Sequence, residues 1–180
     1  MALVDMFLKI EGIQGESQDA KHGGEIQVLT CSWGESQGGT FAHGGGGGAG
    51  KVRMDDWSFT MYVNKASPKL MLACATGQHI PKALLTCRKA GKDQQDYLKI
   101  TFTDLLVSRF DITGTGGADP GRTANGLPDF KFHDELQPLP LSCVSLNFAA
   151  IEIEYKEQKA DGALGAGSRV KYDLKKMQAG

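Results

Sequence analysis

Apolar and polar residues alternate along most of this 180-residue chain, with the period of two that is typical of half-buried β-strands. The longest alternating runs lie at 3–10, 52–63, 97–112 and 144–155. Shorter stretches with strand character lie at 25–34, 83–90 and 170–174. In the run at 144–155 the apolar phase slips by one near Ala149 and Ala150, as a β-bulge would make it. The pattern predicts a mainly β fold.

Residues 67–76 break the alternation and predict one short α-helix. The Ser67 hydroxyl can accept a hydrogen bond from a free N–H of the first turn, and Pro68 suits the first helical position. Gly77 can supply a left-handed stop. Because residues 70–75 are apolar around most of the helix circumference, we expect other elements to enclose the helix.

Two stretches contain too much glycine or proline for regular structure. Residues 35–50 are mostly Gly, Ser, Gln and His, with five consecutive glycines at 44–48, and predict a long mobile loop. Residues 114–140 hold four of the six prolines and predict a second irregular region. The rest of the chain is long enough for one full core, so we expect a single domain over residues 1–180.

The charge balance and the cysteines restrict the class of protein. Twenty Lys and Arg face 21 Asp and Glu, so we expect neither nucleic acid binding nor membrane insertion. Asp5, Lys9 and Glu11 interrupt the apolar N-terminal stretch, so we expect a chain without a signal peptide that folds in the cytoplasm. The four cysteines are scattered without a C-x-x-C pair, and we expect them to be reduced.

No cofactor, metal or catalytic site is predicted. The glycine run that ends at Lys51 resembles a phosphate-binding loop, but Val52 replaces the hydroxyl that would hold magnesium, and strand rather than helix follows. The four histidines lie in four different segments without metal-ligand spacing. One site-based hypothesis remains open: a small β-barrel hydrolase or carbohydrate-binding module that uses the polar loop 129–135 as its site. A native mass measurement would test it, because a monomer with turnover would favour this hypothesis and a ring of identical copies without turnover would not.

A β fold with exposed edge strands and long loops must either guard those edges or pair them with another chain. If identical copies pair head to tail, the contacts close into a ring, and loops along the ring axis can stack one ring on the next. The sequence therefore favours a function carried by an assembly surface.

Several segments, in this order and spacing, resemble one known family. They are Asp5 to Ile10, Gly15-Glu16-Ser17, Glu25-Ile26, Ser32-Trp33-Gly34, Gly44 to Val52, Tyr62 to Pro68 with Leu70, Cys74, Gly77 and His79, Lys89-Ala90-Gly91, Tyr97-Leu98, Ser145 to Phe148 and Ala160-Asp161-Gly162. The chain resembles the Hcp family, the haemolysin-coregulated proteins that form the inner tube of the bacterial type VI secretion system.

The resemblance implies a β-barrel of two antiparallel sheets flanked by one helix. It also implies homo-hexameric rings that stack into a tube, contacts with sheath and spike proteins, export together with effectors, and no enzymatic activity. The effector contacts of the lumen wall would be Thr30, Cys31, Ser32 and Trp33. The ring-stacking loop would span 36–50, with contacts from Ser36, Gln37, Thr40, Phe41, His43 and Lys51.

This chain departs from the family pattern at three places. Cys31 stands where the family has the first aromatic of the lumen motif, so a ring of aromatics would become a ring of thiols. The loop 114–140 is longer than usual, and the residues around Tyr172 and Asp173 replace a Gly-Trp pair. We therefore expect a changed cargo preference and a changed docking of the last strand.

Overall fold

The computed structural model describes residues 4–39, 49–89, 94–114, 139–159 and 163–180. Over these residues it has eleven strands and one helix: β1 Val4–Ile10, β2 Ile26–Val28, β3 Thr30–Ser32, β4 Glu35–Gly39, β5 Ala49–Met54, β6 Trp57–Tyr62, α1 Ser67–Thr76, β7 Ile80–Lys89, β8 Asp96–Thr113, β9 Leu141–Gln158, β10 Leu164–Asp173 and β11 Gln178–Ala179. The predictions of a mainly β fold and of a helix at 67–76 are confirmed.

Nine of the strands form one antiparallel sheet in the order β11-β10-β9-β8-β7-β1-β2, and β6 joins it between β9 and β3. The stretch 26–32 changes partner at Leu29, because β2 pairs with β1 whereas β3 pairs with β6. The Leu29 N–H donates to the Thr60 carbonyl oxygen at 2.8 Å. The sheet therefore surrounds one core, but its strands do not pair in one continuous closed ring. The expected barrel of two antiparallel sheets is more accurately one curved nine-stranded sheet and a separate β4–β5 hairpin.

Aromatic side chains from three strands form the centre of the core. The ring centroid of Trp57 lies 4.9 Å from that of Phe59 and 5.1 Å from that of Phe102, which in turn lies 5.1 Å from Phe148. All four side chains are buried. Burial of each contributes on the order of 2–3 kcal/mol to the free energy of folding, so these rings are a main source of stability.

The helix stops at the expected signal but starts differently from the expected one. Gly77 has φ of 62° and ends α1 in the left-handed conformation, as predicted. The predicted Ser67 cap is wrong, because the cap position is Ala66 and the Ser67 hydroxyl accepts the N–H of Asn64 at 3.2 Å. The same hydroxyl lies 3.2 Å from Ser142 Oγ on β9, and both side chains are buried. Ser67 therefore attaches the helix to the sheet.

The helix is not enclosed, which corrects the second expectation for it. Leu70 and Ala73 are fully buried against the sheet, whereas the side chains of Met71 and Leu72 are 50% and 57% exposed. The apolar residues cover most of the helix circumference, but only one side of it meets β8. The outer side therefore presents apolar groups to solvent.

Two loop and strand boundaries also differ from the prediction. The long mobile loop predicted from residue 35 begins instead as β4, which pairs with β5 through Ser36–Arg53 and Gln37–Val52. The strand predicted at 52–63 is interrupted at Asp55 and Asp56. Residues 40–48 and 115–138, including the polar loop 129–135, lie outside the described residues.

The bulge predicted near Ala149 and Ala150 is not found in β9. The register shift of the β8–β9 pair lies in β8 instead. The β8–β9 register shifts between Val107 and Arg109, so the extra residue is Ser108. The pairs on either side of Ala149 keep their register, although Ala150 and Ile151 are both buried. Asp104, which this register places opposite Ala149, has φ of 50°. The change of face in β9 therefore coincides with a left-handed residue in β8 rather than with an inserted one.

A buried ion pair fixes the loop between β1 and β2 on the sheet. Arg88 is 2% exposed and donates to both carboxylate oxygens of Asp19, at 3.0 and 2.6 Å. Its guanidinium carbon lies 4.9 Å from the centroid of the Phe7 ring. Asp19 also accepts the backbone N–H groups of Lys21 and His22, at 2.9 and 3.1 Å. These hydrogen bonds hold the pKa of the Asp19 carboxyl well below its usual range, with the Arg88 side chain as the main cause.

Candidate functional site

The outer side of β3, β6 and β9 carries small hydroxyl side chains in register. We call this surface the hydroxyl face; its residues are Thr30, Ser32, Ser58, Thr60 and Ser145. Thr30 lies opposite Thr60, and their oxygens are 2.7 Å apart. Ser32 lies opposite Ser58, which lies opposite Ser145 with the two oxygens 2.9 Å apart.

The alternation of β6 explains why this face is polar. Trp57, Phe59 and Met61 are buried in the core, and the residues between them, Ser58 and Thr60, point to the opposite side of the sheet. The period of two that supplies the core therefore also places two hydroxyl side chains on the other side of β6, where Ser58 is half-buried and Thr60 is buried.

Charged residues border the hydroxyl face but are paired with their neighbours. Asp56 accepts the Ser108 hydroxyl at 2.6 Å and the Asn147 amide at 2.7 Å. Arg109 lies opposite Ser145 and donates from Nε to Asp111 at 2.5 Å. Arg109 and Asp111 offset each other, whereas the partners of Asp56 are neutral, so Asp56 keeps its negative charge at this border.

The four expected lumen residues do not share one surface. Thr30 and Ser32 are exposed on the hydroxyl face. Cys31 pairs with Phe59 on the opposite side of the strand, and its Sγ lies 3.8 Å from the Sδ of Met6. Trp33 packs against the core, with its ring centroid 6.4 Å from that of Phe148. The first and third residues of the motif therefore share one side of the sheet, and the second and fourth share the other.

Three further residues of this surface, Ser58, Thr60 and Ser145, were not singled out as contacts from the sequence. The signal that could have found them is the same alternation, because each lies between buried residues of β6 or β9. Their register with Ser32 depends on pairing between strands that are far apart in the chain. A single sequence does not give that pairing.

The expected ring-stacking residues fall partly on the β4–β5 hairpin. Ser36 and Gln37 lie in β4 and Lys51 lies in β5, with all three exposed. Thr40, Phe41 and His43 lie outside the described residues. A groove of about 500 Å³ separates the hairpin from β9 and β10, and its apolar lining is Trp33, Val52, Met54, Ile151, Ile153, Val170 and Tyr172.

The described part of the chain contains no group of three or more His, Cys, Asp or Glu residues placed to hold a metal ion. The His22 ring instead lies between two carboxylates, 2.9 Å from Glu25 and 3.5 Å from Asp96. Among the described helices, none has the length and apolar character needed to cross a membrane.

Comparison with known families decides the identity of the fold. The family model described as type VI secretion system effector, Hcp, matches residues 7–155. The chain belongs to the Hcp family. It is 48% identical over 170 residues to Protein hcp1 of Pseudomonas aeruginosa, which covers 94% of this chain and 93% of that protein.

Solved structures agree with this assignment. Hcp1 from Salmonella typhimurium superposes with a TM-score of 0.73 at 34% identity and covers 99% of both chains. A type six secretion system protein superposes with a TM-score of 0.81 at 25% identity, covering 98% of this Hcp chain and 99% of the other. This Hcp chain is therefore a tube protein of the type VI secretion system, a structural secretion protein, and the alternative of a hydrolase or carbohydrate-binding module is disfavoured.

Proposed function

We propose that six copies of this chain form a ring whose lumen is lined by the hydroxyl face, and that stacked rings carry effectors out of the cell. The observation that supports the lumen assignment is the alignment of Thr30, Ser32, Ser58 and Ser145 on one side of the sheet, the first two exposed and the last two half-buried. Membership of the Hcp family supports the ring and the tube. Sheath and spike proteins are the expected partners, and export without a signal peptide is the expected route.

The chemistry of the hydroxyl face suits reversible contact with many different cargo proteins. Serine and threonine hydroxyls both donate and accept hydrogen bonds, directly or through bridging water. The bordering side chains of Asp56, Arg109 and Asp111 already make hydrogen bonds within the chain. A cargo protein therefore contacts a hydrated polar surface that binds it weakly at each copy. Because several copies surround one lumen, these weak contacts act together and strengthen the binding.

The β4–β5 hairpin and the groove beside it are the proposed contact between rings. The lining of the groove is mostly apolar, and Val170 at its rim is 63% exposed. An apolar surface of this kind is commonly covered by a partner. A neighbouring ring in contact with the hairpin would cover this apolar surface. Within the described residues β3 pairs with β6, and its other edge is left for contacts between the copies of one ring.

A bulky charged residue in the proposed lumen tests the cargo role. Ser32→Glu should leave ring assembly intact, as measured by light scattering, and abolish retention of an effector in a pull-down. Gln27→Glu is the matched control, because Gln27 is exposed on β2 opposite Phe7, outside the hydroxyl face. Cargo retention by Ser32→Glu equal to that of the control would refute the lumen assignment.

Shortening the hairpin tests the stacking role separately. Replacement of residues 36–50 by a short Gly-Ser linker should preserve single rings and abolish long tubes in electron micrographs. Tubes of normal length from this variant would show that the hairpin does not join successive rings. Loss of the rings themselves would instead place the hairpin in the contact between neighbours of one ring.

A further inference from the structure

A sulfur–sulfur contact between β1 and β3 lies beside a cysteine on β7. The Cys31 Sγ on β3 lies 3.8 Å from the Met6 Sδ on β1. Met6 is in turn the register partner of Cys87 on β7, so their side chains leave the same face of the sheet. Directly opposite residues in an antiparallel pair have Cβ atoms about 4.5–5.5 Å apart, so these two sulfurs are within reach of one another. We call Met6, Cys31 and Cys87 the sulfur cluster.

The sulfur cluster has an apolar floor and an opening to solvent. Two residues further along β1, Leu8 is fully buried, and it pairs with the buried residues Ile26 and Leu85. Met6 is half-buried and Cys87 is buried, whereas Cys31 is exposed. A ligand could therefore enter beside Cys31 and be held against groups that exclude water on the inner side.

We propose that the sulfur cluster is a site for one soft monovalent cation, Cu(I), held by two cysteine sulfurs and one methionine sulfur. Thiolate and thioether ligands select Cu(I) over harder ions. For metal–sulfur distances of about 2.3 Å, a trigonal site places its sulfurs about 4 Å apart, which agrees with the contact between Met6 and Cys31. On binding, each cysteine loses its thiol proton to solvent, and the oxidation state of the metal does not change.

Anaerobic titration of the reduced full-length protein with Cu(I) tests the site. The metal is supplied as its coloured bicinchoninate complex, and transfer to the protein is followed by loss of the colour. We expect one Cu(I) per chain. Cys31→Ser should weaken binding by more than about 100-fold, because loss of an outer-shell partner alone costs about 10- to 100-fold. Met6→Leu, which keeps the volume and removes the sulfur, should weaken binding by at least about tenfold.

One control variant and one spectroscopic measurement separate a built site from scattered thiols. Cys143→Ser should bind Cu(I) as the parent does, because Cys143 lies on β9 opposite Thr60 and Asp111, away from the sulfur cluster. Equal weakening by Cys143→Ser and Cys31→Ser would overturn the proposal, as would an unchanged affinity in Met6→Leu. X-ray absorption should show three sulfur neighbours around the copper, and two would exclude the methionine. The exposed position of Cys31 keeps these tests informative even where a change at buried Cys87 prevents folding.

Discussion

The ion pair of Arg88 offers a direct test of how the β1–β2 loop is held. Arg88→Met keeps an unbranched side chain near the Phe7 ring but removes both hydrogen bonds to Asp19 and the 3.5 Å contact with Asp5. The carboxylates of Asp19 and Asp5 then lose their positive partner, and the variant has no charged group to bury at position 88. We expect the loop to loosen and the free energy of unfolding to fall.

The size of the loss follows from the exposure of the partners. Removal of one partner of a buried ion pair costs about 3–5 kcal/mol. Side chains of Asp19 and Asp5 are 19% and 28% exposed and can regain some hydration, so we expect a loss of about 2–3 kcal/mol, below most of that range. With a urea m-value of about 2 kcal/mol/M, the midpoint of unfolding should fall by about 1–1.5 M at fixed protein concentration.

The pH dependence of this difference identifies its cause. The folded pKa of Asp19 is depressed below its unfolded value of about 3.9, so its stabilising contribution is complete above about pH 5. That contribution is lost as the pH falls through the folded pKa, because the protonated carboxyl no longer attracts Arg88. The gap between parent and Arg88→Met should stay constant from pH 8 to 5 and narrow below about pH 4.

A second variant supplies the control for this reasoning. Arg88→Lys keeps the positive charge but cannot contact both Asp19 oxygens with a planar fork, so it should lie between the parent and Arg88→Met in stability. A gap that persists undiminished at pH 3 would show that lost packing on Phe7, and not the ion pair, causes the effect. Equal stability of Arg88→Met and the parent would refute the structural role of the pair.

Three further substitutions have effects that the structure specifies, each measured as a shift in Tm at fixed protein concentration. Gly15→Ala places a Cβ 2.4 Å from the Glu25 carbonyl oxygen, and overpacking of about 1–3 kcal/mol should lower Tm by several degrees; an unchanged Tm would contradict this contact. Ser67→Ala leaves the buried Ser142 hydroxyl without its partner and should cost about 1–2 kcal/mol, whereas the exposed control Thr76→Ala should cost less. Gly77→Ala at φ of 62° should cost about 1 kcal/mol, and a more stable variant would argue against the left-handed stop.

Sequence reasoning succeeded where the signal is local. The helix bounds of 67–76 and the stop at Gly77 follow from start and stop residues within one segment. It failed for Ser67, because the partner that decides the role of this hydroxyl is Ser142, 75 residues away. The same limit explains the exposed residues Met71 and Leu72, since an apolar circumference does not say how many sides of the helix other elements cover.

The glycine-rich hairpin shows a second limit. Composition predicts that residues 35–50 lack regular structure, yet Ser36 and Gln37 pair with Arg53 and Val52. The ladder needs only backbone N–H and C=O groups, so side chains that favour a loop do not prevent pairing once the chain returns antiparallel. The sequence pattern gives the inward and outward positions of single strands, but it does not give partners between strands.

The alternation of β3 changes the meaning of the cysteine at position 31. The family resemblance implies that four consecutive residues, 30–33, contact cargo and that Cys31 lines a lumen as a ring of thiols. In the structure, neighbouring residues of the strand leave opposite faces, so Ser32 and Cys31 project from different sides of β3. If the hydroxyl face lines the lumen, substitution at 30 or 32 alters the wall that cargo meets. Substitution at 31 or 33 alters the end of the core, where Cys31 contacts Met6 and Trp33 packs near Phe148. On that assignment, the cysteine at position 31 changes the end of the core through its contact with Met6, and the proposed cargo surface stays as it is.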